Sequence, residues 1–202
     1  MMKGRQPSSI VIATSNLHKL EEIKIILNGI TPEMLSLQNF PEISPIHETG
    51  TSFRENALLK ARVVYQHTGL LTLADDSGLE VDALNGAPGI YSARFAGEER
   101  NYAANNYKLL QDLKNIPDAE RGAQFRCVVA ILGKRIEKVV EGIVRGRIIH
   151  QLRGSGGFGY DPLFVPEGFD QTYAELGEAV KNRISHRAIA FGKAKEFLKT
   201  LF

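Results

Sequence analysis

Ile10-Val11-Ile12-Ala13-Thr14-Ser15-Asn16-Leu17-His18-Lys19-Leu20-Glu21-Glu22-Ile23 reads as a strand, a turn and a helix in immediate succession. The first four residues are a short, mostly β-branched run, which marks a buried strand. The hydrophobic period then changes. Leu17, Leu20, Ile23 and Leu27 recur at spacings of three and four, with Lys19, Glu21, Glu22 and Lys24 between them, and this predicts an amphipathic helix. Asn16 stands where an N-cap belongs, since its side-chain oxygen can accept the first free N–H groups of the helix.

The same alternation continues downstream. Met34 to Leu37 suggests a second strand, and Pro41 to Thr49 an irregular loop. Ser52-Phe53-Arg54-Glu55 has the form of a capping box opening a helix to about His67, with Phe53, Ala57, Leu58, Ala61 and Val64 on its apolar face. Leu70-Leu71-Thr72-Leu73-Ala74 reads as a buried strand that stops at Asp75-Asp76, and Leu79 to Leu84 as a separate short strand. A third helix is expected from about Asn101 to Leu113. Gln124 to Gly133 and Ile136 to Arg147 read as strands joined by a tight turn. A last helix is expected from near Arg183, with Ile184, Ala188, Phe191, Ala194, Leu198 and Leu201 on one face. Helices and strands alternate early and an antiparallel pair comes late, so the expected class is α/β with a mixed sheet.

Composition narrows the function. With 202 residues, 43% of them hydrophobic and 24% charged, the chain matches a soluble globular protein of one domain or one two-lobed domain. A formal net charge of +2 argues against a protein that coats nucleic acid. Cys127 is the single cysteine. It lies in an apolar run, so it is expected to be a buried thiol in a reducing, cytoplasmic setting. The polar start Met1-Met2-Lys3-Gly4-Arg5 lacks the apolar stretch of a signal peptide, and no run reaches the roughly 18 apolar residues of a membrane span.

Four segments carry more polar chemistry than a plain fold requires. Thr14-Ser15-Asn16-Leu17-His18-Lys19 lies between strand and helix, where free N–H groups and the helix dipole favour phosphate; simple capping by Asn16 explains it equally. Asp75-Asp76-Ser77-Gly78 sets two carboxylates at the end of an apolar run. Their desolvation calls for a positive partner, and magnesium suits carboxylates, water and substrate phosphates; an ordinary polar turn is the alternative. Glu48-Thr49-Gly50 offers a further carboxylate or a surface acid. Lys181, Arg183, His186 and Arg187, with Phe158-Gly159-Tyr160-Asp161 before them, offer donors for carbonyl or phosphate oxygens and rings for a base, or else a solvated helix start and core aromatics. No Walker loop or dinucleotide fingerprint is present. The histidines lack metal-ligand spacing, and Ser77 has no His/Asp relay in the sequence.

Taken together, these segments resemble the inosine triphosphate pyrophosphatase family. The motifs are Ala13-Thr14-Ser15-Asn16-Leu17-His18-Lys19 with Glu22; Glu48-Thr49-Gly50 with Phe53 and Glu55-Asn56-Ala57; Ala74 to Leu79; Gly86 to Arg94; Gly154 to Pro162; and Ile184-Ser185-His186-Arg187. They occur in the family's order. One departure is Ser15, where bacterial relatives often carry glycine.

The resemblance implies a two-lobed α/β fold around a long mixed sheet with flanking helices and a cleft between the lobes. Residues 10–202 would form that domain, and residues 1–9 a flexible lead-in. It implies a Mg2+-dependent homodimer that cleaves ITP, dITP, XTP and dXTP between the α and β phosphates. It casts Asp76 as general base and metal ligand, with Asp75 and Glu48 also on the metal. Thr14, Ser15, Asn16, Leu17, His18, Lys19 and Lys60 would take the triphosphate, with Ser77 bonding substrate. Phe158 or Tyr160 would stack the base, with Gly159 in the same segment. Asp161 would read the base's N–H edge. His186 and Arg187 would donate to a 6-oxo group, with Lys181 beside them. Neither nucleic acid nor membrane is an expected partner. A pyrophosphatase of other base specificity and a non-catalytic nucleotide-binding module remain the alternatives.

Overall fold

The computed structural model describes residues 9–30, 33–97 and 101–202. The lead-in expected over residues 1–9 lies outside these, apart from Ser9, which opens the first strand. Among the described residues six strands form one mixed sheet: β1 (Ser9–Ile12), β2 (Glu33–Ser36), β3 (Leu71–Val81), β4 (Gly122–Gly133), β5 (Ile136–Ile148) and β6 (Phe164–Pro166). Their order is β2-β1-β3-β4-β5-β6. β1 is parallel to both neighbours, with Val11 opposite Leu35 and Thr72, whereas β5 and β6 are antiparallel. A strand flanked on both sides and covered on both faces must be apolar throughout, and Ile10, Val11 and Ile12 are all buried.

Six α-helices lie among the described residues: α1 (Leu17–Ile26), α2 (Phe53–Thr68), α3 (Tyr102–Asp112), α4 (Tyr173–Leu176), α5 (Glu178–Ile184) and α6 (His186–Leu198). Asn16 caps α1 as expected, accepting from the N–H groups of His18 and Lys19. Leu20, Ile23 and Leu27 are buried, but Leu17 is 55% exposed, because it occupies the first, uncovered turn. Ser52 caps α2 through the Glu55 N–H. The Glu55 carboxylate also accepts from the N–H and hydroxyl of Thr51, at 2.7 and 2.8 Å.

Two expectations are corrected. β3 does not stop at Asp75-Asp76; it runs unbroken to Val81 and absorbs the separate strand expected at Leu79. Both carboxylates are buried within it. Gly78 belongs to the strand because of close packing: a Cβ there would lie 2.3 Å from the Gly89 carbonyl and 2.4 Å from Ser92 Oγ. The helix expected from Arg183 is really two, α5 and α6, broken at Ser185. That residue is extended, and its Oγ accepts from the Ala188 N–H at 3.1 Å.

The chain divides into two compact units. The first comprises the chain up to Asp76, Val128–Glu141 and Ile189–Phe202; the second comprises Ser77–Cys127 and Gly142–Ala188. In the first, Ala57, Ala61 and Val64 of α2 and Phe191, Ala194 and Leu198 of α6 are buried. The second has a core that includes Leu79, Leu109, Leu113, Phe125, Tyr160, Phe164 and Tyr173. Phe125 and Phe164 meet edge to face at 4.8 Å, a favourable aromatic geometry. Arg121 is buried beside this core and donates to the carbonyls of Leu113, Ile116, Ile148 and Ile149. It thereby satisfies the end of α3, whose last carbonyls lack helical partners. Among the described residues no helix is long and apolar enough to cross a membrane.

Candidate active site

The first cluster belongs to the first unit. β3 and α2 build it. Adjacent residues of a strand direct their side chains to opposite faces, so Asp75 and Asp76 meet different helices. Asp75 Oδ2 accepts from Lys19 Nζ of α1 at 3.0 Å. Asp76 Oδ2 accepts from Asn56 Nδ2 of α2 at 3.0 Å. Asp76 Oδ1 lies 3.8 Å from Lys60 Nζ, one helical turn further along α2. Lys60 also forms a very close ion pair with Glu48. Asn56 is wholly buried, and its Oδ1 accepts from the Gly50 N–H at 2.8 Å. One amide thus ties the Glu48-Thr49-Gly50 loop to the carboxylate of Asp76.

Burial raises the Asp76 pKa from an ordinary 3.8 to about 6; Lys60 opposes that rise, Glu48 adds to it, and Lys19 and the Asn56 bond oppose it. The Lys60 pKa also rises, for a different reason. Burial pulls its pKa down, but the charges of Asp76, Glu48 and Asp75 outweigh this and hold it above the ordinary lysine range. A carboxylate poised near neutrality, beside a fixed cation, suits general-base chemistry.

The second cluster belongs to the second unit. Asp161 accepts from the Phe158 N–H at 2.8 Å and forms a very close pair with Lys181; both charged groups are buried. Lys181 Nζ lies 4.3 Å from the Phe158 ring centroid and the Arg187 guanidinium 5.6 Å from it, within cation–π range. Arg187 Nη2 donates to Ser77 Oγ at 3.0 Å. His186 stacks on Phe125 at 4.6 Å with the rings 8° from parallel. Gly157 permits this geometry: its φ is +72°, and a Cβ would lie 2.2 Å from Asp161 Oδ2.

The predicted residues therefore fall into two groups. Asn16, Lys19, Glu48, Lys60, Asp75 and Asp76 belong to the first unit, with Thr14, Ser15, Leu17 and His18 around the start of α1. Ser77, Phe158, Gly159, Tyr160, Asp161, Lys181, His186 and Arg187 belong to the second. The two rings expected as stacking candidates differ in setting. The Tyr160 ring belongs to the core, and its hydroxyl donates to the Ser92 carbonyl at 2.9 Å, whereas Phe158 is half-buried. Asn56, quoted above in a motif but given no role of its own, is the residue that bonds Asp76. Its signal was a polar residue on the apolar stripe of α2, three positions after Phe53 and one before Ala57.

Among the described residues no three His, Cys, Asp or Glu side chains stand close enough to hold a metal ion. Asp75 is committed to Lys19, whereas Glu48 and Asp76 both approach Lys60 Nζ. An ammonium therefore already lies between two carboxylates, so this pair is chemically suited to a cation. Hard oxygen ligands fit magnesium, which takes one or two protein carboxylates and completes its shell with water and phosphate.

Comparison with known proteins agrees with these motifs. The model of the Ham1 family matches residues 10–197. A dITP/XTP pyrophosphatase of Desulforamulus reducens is 48% identical over 195 residues, covering 96% of each chain. One of Geobacter sulfurreducens is 48% identical over 192 residues, covering 94% of this chain and 96% of its own. The structure of the Staphylococcus aureus Ham1 protein superposes with a TM-score of 0.86 at 41% identity, covering 95% of this chain and 98% of that one. By sequence and by fold, the chain belongs to the Ham1 family.

Proposed function

We propose that this protein hydrolyses dITP, ITP, XTP and dXTP to the nucleoside monophosphate and pyrophosphate, clearing them from the nucleotide pool. The observation that carries the reading is Asp76: a buried carboxylate with a pKa near 6, fixed on one oxygen by Asn56 and facing Lys60 with the other. Relatives that share nearly half their residues and bear the name dITP/XTP pyrophosphatase support the substrate class.

Lys19 and Lys60 are the cations available to the triphosphate. Asp75 holds Lys19 in place, and Asn56 aims Asp76. Asp76 Oδ1 takes a proton from water as the water oxygen bonds to phosphorus and the bridging P–O bond breaks, releasing pyrophosphate. Glu48 and Asp76 would hold Mg2+, which when bound offsets phosphate charge. In the second cluster, Phe158 stacks the purine. Arg187 donates to a 6-oxo group, and adenine sets a 6-amino donor against it in place of an acceptor; such a mismatch costs binding. A homodimer and a cytoplasmic setting complete the reading, and sedimentation analysis and cell fractionation check them.

The test is a panel of dITP, XTP, ITP, dATP, dGTP and dCTP with Mg2+, assaying pyrophosphate against orthophosphate. Pyrophosphate released chiefly from the inosine and xanthosine nucleotides is expected. Orthophosphate as the direct product, or equal turnover of dATP, overturns the reading.

A further inference from the structure

α3 takes no part in the mechanism above, yet it carries two adjacent buried asparagines. Asparagine is a poor residue for a helix interior, because its amide competes for backbone groups. The Asn105 amide is fully engaged: it accepts from the Ala96 N–H at 2.8 Å and donates to the carbonyls of Ser92 and Ala93. Asn106 differs. Its Nδ2 donates to the Gly159 carbonyl at 3.0 Å, across 53 residues of sequence. Its Oδ1 is buried with no hydrogen-bond partner among the described residues. A buried acceptor left unpaired lowers stability, so leucine would suit this position better if packing alone mattered.

What Asn106 holds is the segment that presents Phe158. One turn earlier on the same face of α3, the Tyr102 ring lies 6.0 Å from the Phe158 ring. Phe158 sits between two glycines with φ of +72° and +66°, a backbone with little rigidity of its own. Its path is fixed from outside, by Asp161 on the Phe158 N–H and by Asn106 on the next carbonyl.

We infer that Asn106 is a positioning residue for base recognition: its amide anchors the Gly159 carbonyl and so sets how Phe158 meets the purine. This rests on the reading that Phe158 stacks the base.

The test uses Asn106→Leu, which keeps volume and removes both the bond and the unpaired oxygen. Thermal stability is measured, and dITP hydrolysis is inhibited separately with IMP and with inorganic tripolyphosphate. The expected result is a Tm little changed, because removal of the unpaired Oδ1 offsets loss of the bond to the Gly159 carbonyl. The KM for dITP and the inhibition constant of IMP rise about fivefold, the loss of one well-placed hydrogen bond. kcat and the tripolyphosphate constant stay unchanged. If both inhibitors weaken together, or neither does, the inference is overturned. Should Asn106→Leu fail to fold, Asn106→Asp keeps the shape but lacks the donor at neutral pH, and unchanged IMP inhibition in it is equally decisive. Phe158→Ala separates the two readings. If it leaves IMP inhibition unchanged, the stacking reading itself fails; if it weakens IMP while Asn106→Leu does not, only the role of Asn106 falls.

Discussion

Replacing Asp76 with asparagine should abolish turnover and, without metal, make the protein more stable. The ordinary aspartate pKa of 3.8 rises to about 6 in the folded chain, chiefly through burial. The folded state thus binds this proton more tightly than the unfolded state. Below pH 3.8 both states are protonated and nothing is lost. Between 3.8 and about 6 the unfolded state releases its proton first, so raising the pH favours unfolding. Above about pH 6 the full penalty stands. At roughly 1.4 kcal/mol for each tenfold change in proton affinity, it is about 3 kcal/mol. Asparagine has the shape of the protonated form and carries no such penalty. In chelator at pH 8, Asp76→Asn should therefore melt about 6 to 12 °C above the wild type, at roughly 2 to 4 °C per kcal/mol for a chain of this size. Near pH 4 the two curves should converge. Magnesium should stabilise the wild type more than the variant, because it favours the ionised carboxylate. Calorimetry from pH 4 to pH 8 decides the matter. A variant no more stable than wild type at pH 8, or a gap independent of pH, refutes the claim that burial of this carboxylate dominates.

Asn56→Ala leaves both Asp76 Oδ2 and the Gly50 N–H without their partner. Urea unfolding should show a loss of about 2 kcal/mol, and the acidic limb of the pH–rate profile should move to higher pH, since the Asn56 bond lowers the Asp76 pKa. Gly157→Ala must push the Asp161 carboxylate off the Phe158 N–H and strain a residue at φ +72°. The expected loss is more than about 1 kcal/mol of stability, with a raised KM for dITP in steady-state assays. Arg187→Ala should lower kcat/KM for dITP relative to dATP by about tenfold or more; an unchanged ratio in competition assays rules out its role in base choice.

Much of this protein was legible along the chain because hydrophobic period is a local property. The run from Ile10 to Leu27 specified a strand, a cap and a helix, and a change of period needs no knowledge of the rest of the fold. The motifs also named most of the charged residues. What they could not convey was direction and partner. Asp75-Asp76 reads as a turn by composition, since aspartate, serine and glycine together favour turns, yet burial on both faces draws it into β3 and sends the two carboxylates opposite ways. Likewise Phe158 and Tyr160 look interchangeable until packing turns one ring into the core. Asn56 reaches across 20 residues to Asp76, and Arg187 across 110 to Ser77. Sequence determined the elements and the kinds of side chain available, through short-range pattern. Tertiary structure alone decided which carboxylate faces Lys60 and which of the two rings is buried in the core, because those depend on contacts between segments that local periodicity does not encode.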